Sequence, residues 1–254
     1  MLFRSRNHTS RERERERERE MKVLVVVLMS MMMVVESSLP VSTVDDQVYV
    51  GNGCFWALQH LIVSEVEYDE NVTAVTGYAG GKNKSRLCYH NANGTDDYGE
   101  YGHAEVVMVD VGSEDKALLL FKTYFEKSFV AYNATTFTRP DVYDLGQEYR
   151  AVIGVPGGVR SSKYVSLIQQ ANLHKMKLIE GKGSSDPDTL DTNSIYVYDS
   201  DRFPFTQAEL CMQFHDDPPA LRGPFPDSYH NLKKSLISTG RLHSTTCPPP
   251  FVSC

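Results

Sequence analysis

The groups in this sequence best suited to chemistry are a cysteine in a glycine turn and a carboxyl on an apolar strand. Cys54 stands in Gly51-Asn52-Gly53-Cys54-Phe55-Trp56, after a short β-rich stretch at 47–50 and before Leu58, Leu61 and Ile62 at helical spacing. That order reads as strand, glycine turn and helix, with the helix beginning at or just after Cys54. A thiol at a helix N-terminus faces unpaired N–H groups and the positive end of the helix dipole. Both favour the thiolate, which is the nucleophilic form. Phe55 and Trp56, the only tryptophan in the chain, can wall an apolar pocket beside the sulfur. Taken alone, a Gly-Cys-aromatic triplet is more often a buried structural cysteine ahead of a core helix. Glu105 lies in the alternating run 103–111, where Val107, Val109 and Val111 share its face and Ala104, Val106, Met108 and Asp110 take the other. A carboxyl on an otherwise apolar face loses solvation, its pKa rises, and it can carry a proton at neutral pH. By pattern alone, Glu105 reads equally well as a strand residue facing solvent. His103 shares its face and either orients Glu105 or caps the start of the strand.

These groups need a scaffold. Strands are expected at 47–50, 72–78, 103–111 and 148–155, and helices at 55–66, 115–129 and 160–175. The inward face of the second helix is read as Leu118, Leu119, Phe121, Tyr124 and Phe125. That of the third is read as Tyr164, Val165, Ile168 and Leu173. The order β-α-β-β-α-β predicts an α+β fold: a ferredoxin-like split βαβ two-layer sandwich, with helices on one face of an antiparallel sheet. Two long loops, 82–101 and 130–147, flank the site; long loops inside a compact domain are usually functional or disordered, and the place of 82–101 between two motifs favours the first. Past residue 175 the pattern weakens. Short strands are expected at 176–179 and 195–198, and helices at 206–215 and 229–237. Residues 244–254 carry Cys247-Pro248-Pro249-Pro250, which cannot form regular helix or strand. The division is therefore a domain at 41–175 and a C-terminal extension, 176–254, packed on it.

The chain of 254 residues is 41% apolar, enough to bury a sizeable core, and its net charge of -7 offers no basic footprint for nucleic acid. Residues 11–20 are a pure Arg-Glu alternation, so 1–20 reads as a solvated extension or an artefact upstream of Met21. From Met21, one lysine, an apolar run at 23–35 broken by Ser30, and Glu36-Ser37-Ser38-Leu39-Pro40 make a signal peptide at 21–40. It is short for a membrane span, and a signal anchor is the alternative. Asparagines 71, 83, 93 and 133 all head Asn-x-Ser/Thr triplets without proline, which fits a glycosylated, secreted or luminal protein. Five cysteines, an odd number, leave one thiol outside any set of pairs in such a compartment. Their spacing makes no zinc pattern, and no metal is expected.

Gly-Cys-Phe-Trp resembles the nucleophile motif of the A-type peptide methionine sulfoxide reductases. Three more stretches match that family in its order: Gly77-Tyr78-Ala79-Gly80-Gly81, Gly102-His103-Ala104-Glu105-Val106-Val107, and Asp144-Leu145-Gly146-Gln147-Glu148-Tyr149-Arg150. The resemblance covers about 47–171. It implies the same β-α-β-β-α-β layout and a reaction in which the Cys54 thiolate reduces methionine S-sulfoxide, free or in proteins, and becomes a sulfenic acid. Glu105 would be the acid. Tyr149 and Tyr89 would donate hydrogen bonds to the sulfoxide oxygen, with Tyr98 and Tyr101 as competitors for the place of Tyr89. Phe55, Trp56 and Asp144 would bind substrate. A second thiol then condenses with the sulfenic acid, and an external dithiol reduces the disulfide. Cys247, Cys254 and Cys88 are the candidates for that second thiol, whereas Cys211, on an expected helix, reads as core. The resemblance further implies a monomer with no bound cofactor that draws on a thioredoxin-like reductant. The chain departs from the family at Ala57, usually glycine, and at Gln147-Glu148, where Thr-Gln is common. Phe137-Thr138-Arg139-Pro140 stands near where His-Asp-Pro is usual. Two other classes compete: a cysteine hydrolase or acyltransferase using Cys54 with His103, and a non-catalytic glycoprotein that binds methionine or its sulfoxide.

Overall fold

Val48 and Val50 point to one face of the first strand and Tyr49 to the other, and all three are buried, so this strand must lie inside a sheet covered on both sides. The computed structural model describes residues 47–68, 71–216 and 226–251. The Arg-Glu repeat, the signal-peptide stretch and Cys254 lie outside the described residues. In chain order the elements are β1 (Gln47–Gly51), α1 (Phe55–Glu65), β2 (Val75–Ala79), β3 (Ala104–Asp110), α2 (Glu114–Lys127), β4 (Val130–Ala131), β5 (Phe137–Thr138), β6 (Val152–Val155), α3 (Ser162–Ala171), β7 (Lys177–Glu180), β8 (Ser194–Asp199), β9 (Thr206–Gln207) and α4 (Ser228–Ser238).

The main sheet has seven strands in the order β7-β8-β6-β1-β3-β2-β9. Its inner part, β6-β1-β3-β2, is antiparallel throughout, which is the expected split βαβ arrangement. The C-terminal extension makes the whole sheet mixed. β8 runs parallel to β6 and β7 parallel to β8, while β9 pairs with the far edge at β2. Both edges of the inner sheet are thereby covered. Val107, Val109 and Val111 of β3 and its flank enter the large core with α1, α2 and α3, and Ala104, Val106 and Met108 face Tyr196 and Tyr198 on the other side. The alternation read from the sequence of β3 is thus the one the fold uses. Phe203 and Phe205 of the extension pack against that second face. The turn from α1 to β2 is tied by fully buried Glu67, which accepts from the Thr73 and Ala74 N–H groups and from Lys116 at 2.9 Å.

Several expectations are corrected. Residues 206–215 are not a helix: they form β9 and a 3-10 turn, Leu210–Met212. The edge of β2 needs partners, and Gln213 supplies them through its side chain, accepting from Thr76 N and donating to Thr76 O, both at 2.9 Å. In α2, Leu120 is buried where Leu119 was expected, and Leu119 is exposed. The helix starts at Glu114, capped by Ser113 Oγ accepting from Lys116 N, and it is turned so that Leu120 joins Phe121, Tyr124 and Phe125 in the core. Leu173 is exposed because α3 ends at Ala171. The fourth inner strand begins at Val152, so Tyr149 sits on a 3-10 turn, Gln147–Tyr149, rather than on a strand.

Candidate active site

The turn between β1 and α1 is held on three sides. Gly51 O accepts from Tyr124 Oη at 3.0 Å, Asn52 Nδ2 donates to Ser128 O at 2.6 Å, and Gly53 N donates to Tyr149 O at 3.0 Å. Gly53 has φ +75°, and a Cβ there would come within 2.9 Å of Asp144 Oδ2, so conformation and space both require glycine. Cys54 is the N-cap of α1, but its side chain makes no capping bond. Carboxylates distant in sequence cap the helix instead. Asp144 Oδ2 accepts from Cys54 N and Glu105 Oε2 accepts from Phe55 N, both at 2.9 Å. The half-buried thiol therefore stands at a helix N-terminus between two carboxyl groups.

Glu105 is 1% exposed. Burial pushes its pKa up to about 8, against the opposing pull of the Phe55 N–H and the Tyr98 hydroxyl, which donates to Oε1 at 2.8 Å. At neutral pH it holds a proton. Burial, and then the charge of Glu105, raise the Tyr89 and Tyr149 hydroxyls well above the ordinary tyrosine value, so both remain donors. The Tyr89 ring stacks on Phe55 at 6.1 Å, on Trp56 at 6.0 Å and on Tyr98 at 5.7 Å. Of the competing loop tyrosines, Tyr89 and Tyr98 both enter this cluster, and Tyr101 instead lies under the Lys84 ammonium. Tyr98, named from the sequence only as a competitor for the place of Tyr89, is the side-chain hydrogen-bond partner of Glu105. His103 does not orient Glu105. Its Nδ1 accepts from Gly81 N and its Nε2 donates to Lys82 O, so it caps the start of β3. Burial lowers its pKa to about 4, so it is neutral.

The extension reaches both loops of the site. Arg139, 1% exposed, donates to Tyr149 O at 2.8 Å and forms a bidentate pair with Asp188. Asp188 also accepts from Gly146 N. Burial raises the Asp188 pKa, but the bonds from Arg139 and Gly146 outweigh it and hold the carboxyl below its usual value. On the other side, buried Glu209 accepts from Tyr89 N at 2.8 Å and from Tyr78 Oη at 2.9 Å. Neither Asp188 nor Glu209 carries a sequence signal: Asp188 stands among the acids of a Gly/Ser/Asp-rich turn region, and Glu209 has the appearance of a polar residue on the expected 206–215 helix. Arg139 had a weak one, as a basic residue inside the Phe-Thr-Arg-Pro departure. Two results follow. Asp188→Ala strands a buried guanidinium and is expected to cost about 3 kcal/mol, read as a lower denaturation midpoint. Glu209→Ala leaves two donors unsatisfied, at about 1–3 kcal/mol each, and lets Tyr89 drift. Turnover is expected to fall several-fold and Glu209→Gln, which keeps an acceptor, to recover part of it.

Cys88 and Cys247 are joined to each other in a disulfide, and Cys211, on the 3-10 turn rather than a helix, is disulfide-bonded too. Cys54 is in no disulfide. A cavity of about 280 Å³ lies against Cys54, walled by Asn52, Ala57, Leu61, Val130 and Asp144 among others. Phe55, Trp56, Tyr89 and Glu105 do not line it.

The site of this α+β sandwich thus brings together an unbridged cysteine at a helix N-terminus, a protonated carboxyl and tyrosine hydroxyl donors. Residues 46–177 match the family model described as peptide methionine sulfoxide reductase, and the chain belongs to that family. A curated relative, peptide methionine sulfoxide reductase MsrA of Trichodesmium erythraeum (strain IMS101), is 33% identical over 112 residues. The match takes in 42% of this chain and 54% of the relative, so the chain spans about half the length of the curated relative it matches. Among solved structures, methionine sulfoxide reductase A of Corynebacterium diphtheriae overlays at a TM-score of 0.43 with 18% identity, over 74% of this chain and 89% of that one. Mxr1 from Saccharomyces cerevisiae in reduced form gives 0.41 and 17%, over 70% and 88%. Both overlays are loose, and family membership rests on the sequence match.

Proposed function

We propose that this protein reduces methionine S-sulfoxide, free or in oxidised proteins, to methionine. The observation that carries the reading is the Phe55 N–H bound to a protonated Glu105, which places a proton donor at the helix end that bears the Cys54 thiol. The thiolate attacks the sulfoxide sulfur. Glu105 protonates the departing oxygen while Tyr89 and Tyr149 hold it by hydrogen bonds, as oxyanion donors do. The oxygen ends on Cys54 as a sulfenic acid; methionine sulfur gains two electrons and Cys54 loses two. A neutral Glu105 also spares the thiolate a second negative neighbour beside Asp144. Trp56, 7% exposed, keeps a strip of apolar surface for the substrate methyl; Phe55, expected to bind substrate, is instead fully buried and backs the aromatic cluster, and Asp144 shapes the loop. No bound cofactor is needed. An external thiol donor, for which a thioredoxin-like dithiol is the family's example, returns Cys54 to the thiol in a monomeric enzyme.

The hydrolase reading requires an available histidine, and both ring nitrogens of His103 are occupied by backbone. We place the enzyme in the secretory pathway, secreted or luminal. In support, Asn71, Asn83, Asn93 and Asn133 are all exposed and lie outside helices and strands, as glycan acceptors must be. The test is reduction of the S and R epimers of a blocked methionine sulfoxide with excess dithiothreitol. Turnover of S alone is expected. Absence of turnover with either epimer, while Cys54 is alkylatable, would overturn the reading.

A further inference from the structure

A sulfoxide sulfur carries three substituents, and the reductase reading assigns places to two of them. The oxygen turns to Glu105, Tyr89 and Tyr149, and the methyl to Trp56. The third substituent, the methylene that leads back to the peptide chain, needs a way out from Cys54. The cavity of about 280 Å³ supplies one: Cys54 lines it, and neither the acid nor the aromatic cluster does. Ala57, Leu58, Leu61, Val130 and Pro140 give it an apolar lining. Leu58 and Leu61 are buried and Val130 is 44% exposed, so this lining runs from the core to the surface. The polar groups along it are largely engaged within the protein. Asn52 Nδ2 donates to Ser128 O, and the Arg139 guanidinium is paired with Asp188. Lys127 is paired with Glu65, which leaves the carboxylates of Asp141 and Asp144 to give the cavity a negative character. A second observation concerns the segment that walls the cavity at residues 130, 140, 141 and 144. Exposed apolar side chains gather there: Val130, Tyr132, Val142, Tyr143 and Leu145 are all exposed. Apolar surface gathered beside a cavity marks a binding face.

We propose that this cavity is a specificity subsite for a polypeptide substrate: it takes the side chain of the residue next to the methionine sulfoxide, selects an apolar side chain there and rejects an acidic one. The proposal rests on the reductase reading above and deepens it, by naming the sequence around the oxidised methionine that the site prefers. The cavity has room for one side chain and not for a folded surface, so the substrate is an extended segment at that point. An apolar side chain leaves water for Leu58, Leu61 and Val130 and gains by burial. A carboxylate in the same place loses its hydration and meets Asp141 and Asp144, with no cation on the lining outside an ion pair. The contact lies away from the reacting atoms and is made alike before and during the oxygen transfer. It therefore acts on KM and leaves kcat unchanged.

The experiment measures kcat and KM of the intact protein, with excess dithiothreitol, on blocked peptides that carry methionine S-sulfoxide at the centre. The residue on one side of it, and then on the other, is Leu, Gly or Asp, and blocked methionine S-sulfoxide alone is the reference. On one of the two sides, Leu is expected to exceed Gly by about tenfold in kcat/KM, and Asp to fall below Gly, all through KM. Val130→Asp places a charge on the exposed part of the lining. It is expected to abolish the preference for Leu and to turn over the reference at the wild-type rate. Val130→Lys is expected to raise the Asp peptide above the Gly peptide, again with the reference unchanged. Equal kcat/KM across the peptides, with the reference reduced normally, would overturn this proposal and leave the reductase reading standing. A preference for Leu that survives both Val130 variants would overturn the assignment to this cavity. No turnover of any peptide or of the reference would overturn the reductase reading and this proposal with it.

Discussion

Cys54→Ser is expected to fold and to release no methionine, a loss on the order of 10⁴-fold or more in turnover. The reason is chemical. A serine hydroxyl ionises far above neutral pH and cannot accept the sulfoxide oxygen as a stable intermediate, whereas sulfur does both. The substitution exchanges one atom in a half-buried side chain that makes no capping bond to α1, so the fold has little to lose. The helix end stays capped by Asp144 and Glu105. The measurement is methionine release under excess dithiothreitol, beside a thermal melt that shows a folded variant. Residual turnover within tenfold of wild type would mean that a different sulfur does the chemistry.

The second large effect is at Glu105. Glu105→Gln keeps an acceptor for Phe55 N and a partner for Tyr98 but has no proton to give, so turnover should fall on the order of 10²–10³-fold. The pH dependence separates the chemical role from a structural one. The Glu105 pKa stands at about 8, above the ordinary 4.5, because burial disfavours the charge. The proton is present below that value, so the wild-type rate falls as pH rises through about 8. Glu105→Gln loses that limb. Linkage has the same sign. The stabilising preference for the neutral form is complete below about 4.5 and is lost as pH rises through about 8, so the wild type loses stability over that window and Glu105→Gln does not. A variant that is slow but retains the fall near pH 8 would assign the titration to another group.

What the sequence determined unaided is local in origin. The glycines around Cys54, the alternation of β3 and the β-α-β-β-α-β order are set by backbone sterics and by periodicity, which act over a few residues. From them came the inner sheet, the helix that starts at Cys54 and the apolar face that raises the Glu105 pKa. The resemblance added Tyr149 and Asp144 through its last motif and Tyr89 by its place after the Gly80-Gly81 turn, and the structure brings all three beside the Cys54 turn. The tertiary structure decided what depends on partners distant along the chain. Helical spacing at 206–215 lost to the unpaired edge of β2, where a strand and the Gln213 amide satisfy backbone groups that a helix would have left open. The aromatic cluster is braced by Glu209 and the Tyr149 turn by Arg139 with Asp188, contacts spanning 120 residues in one case and 49 in the other. The disulfide partner of Cys88 lies 159 residues away. No periodicity records such pairs, because an acid or cysteine has the same appearance in a loop whether or not the fold closes on it.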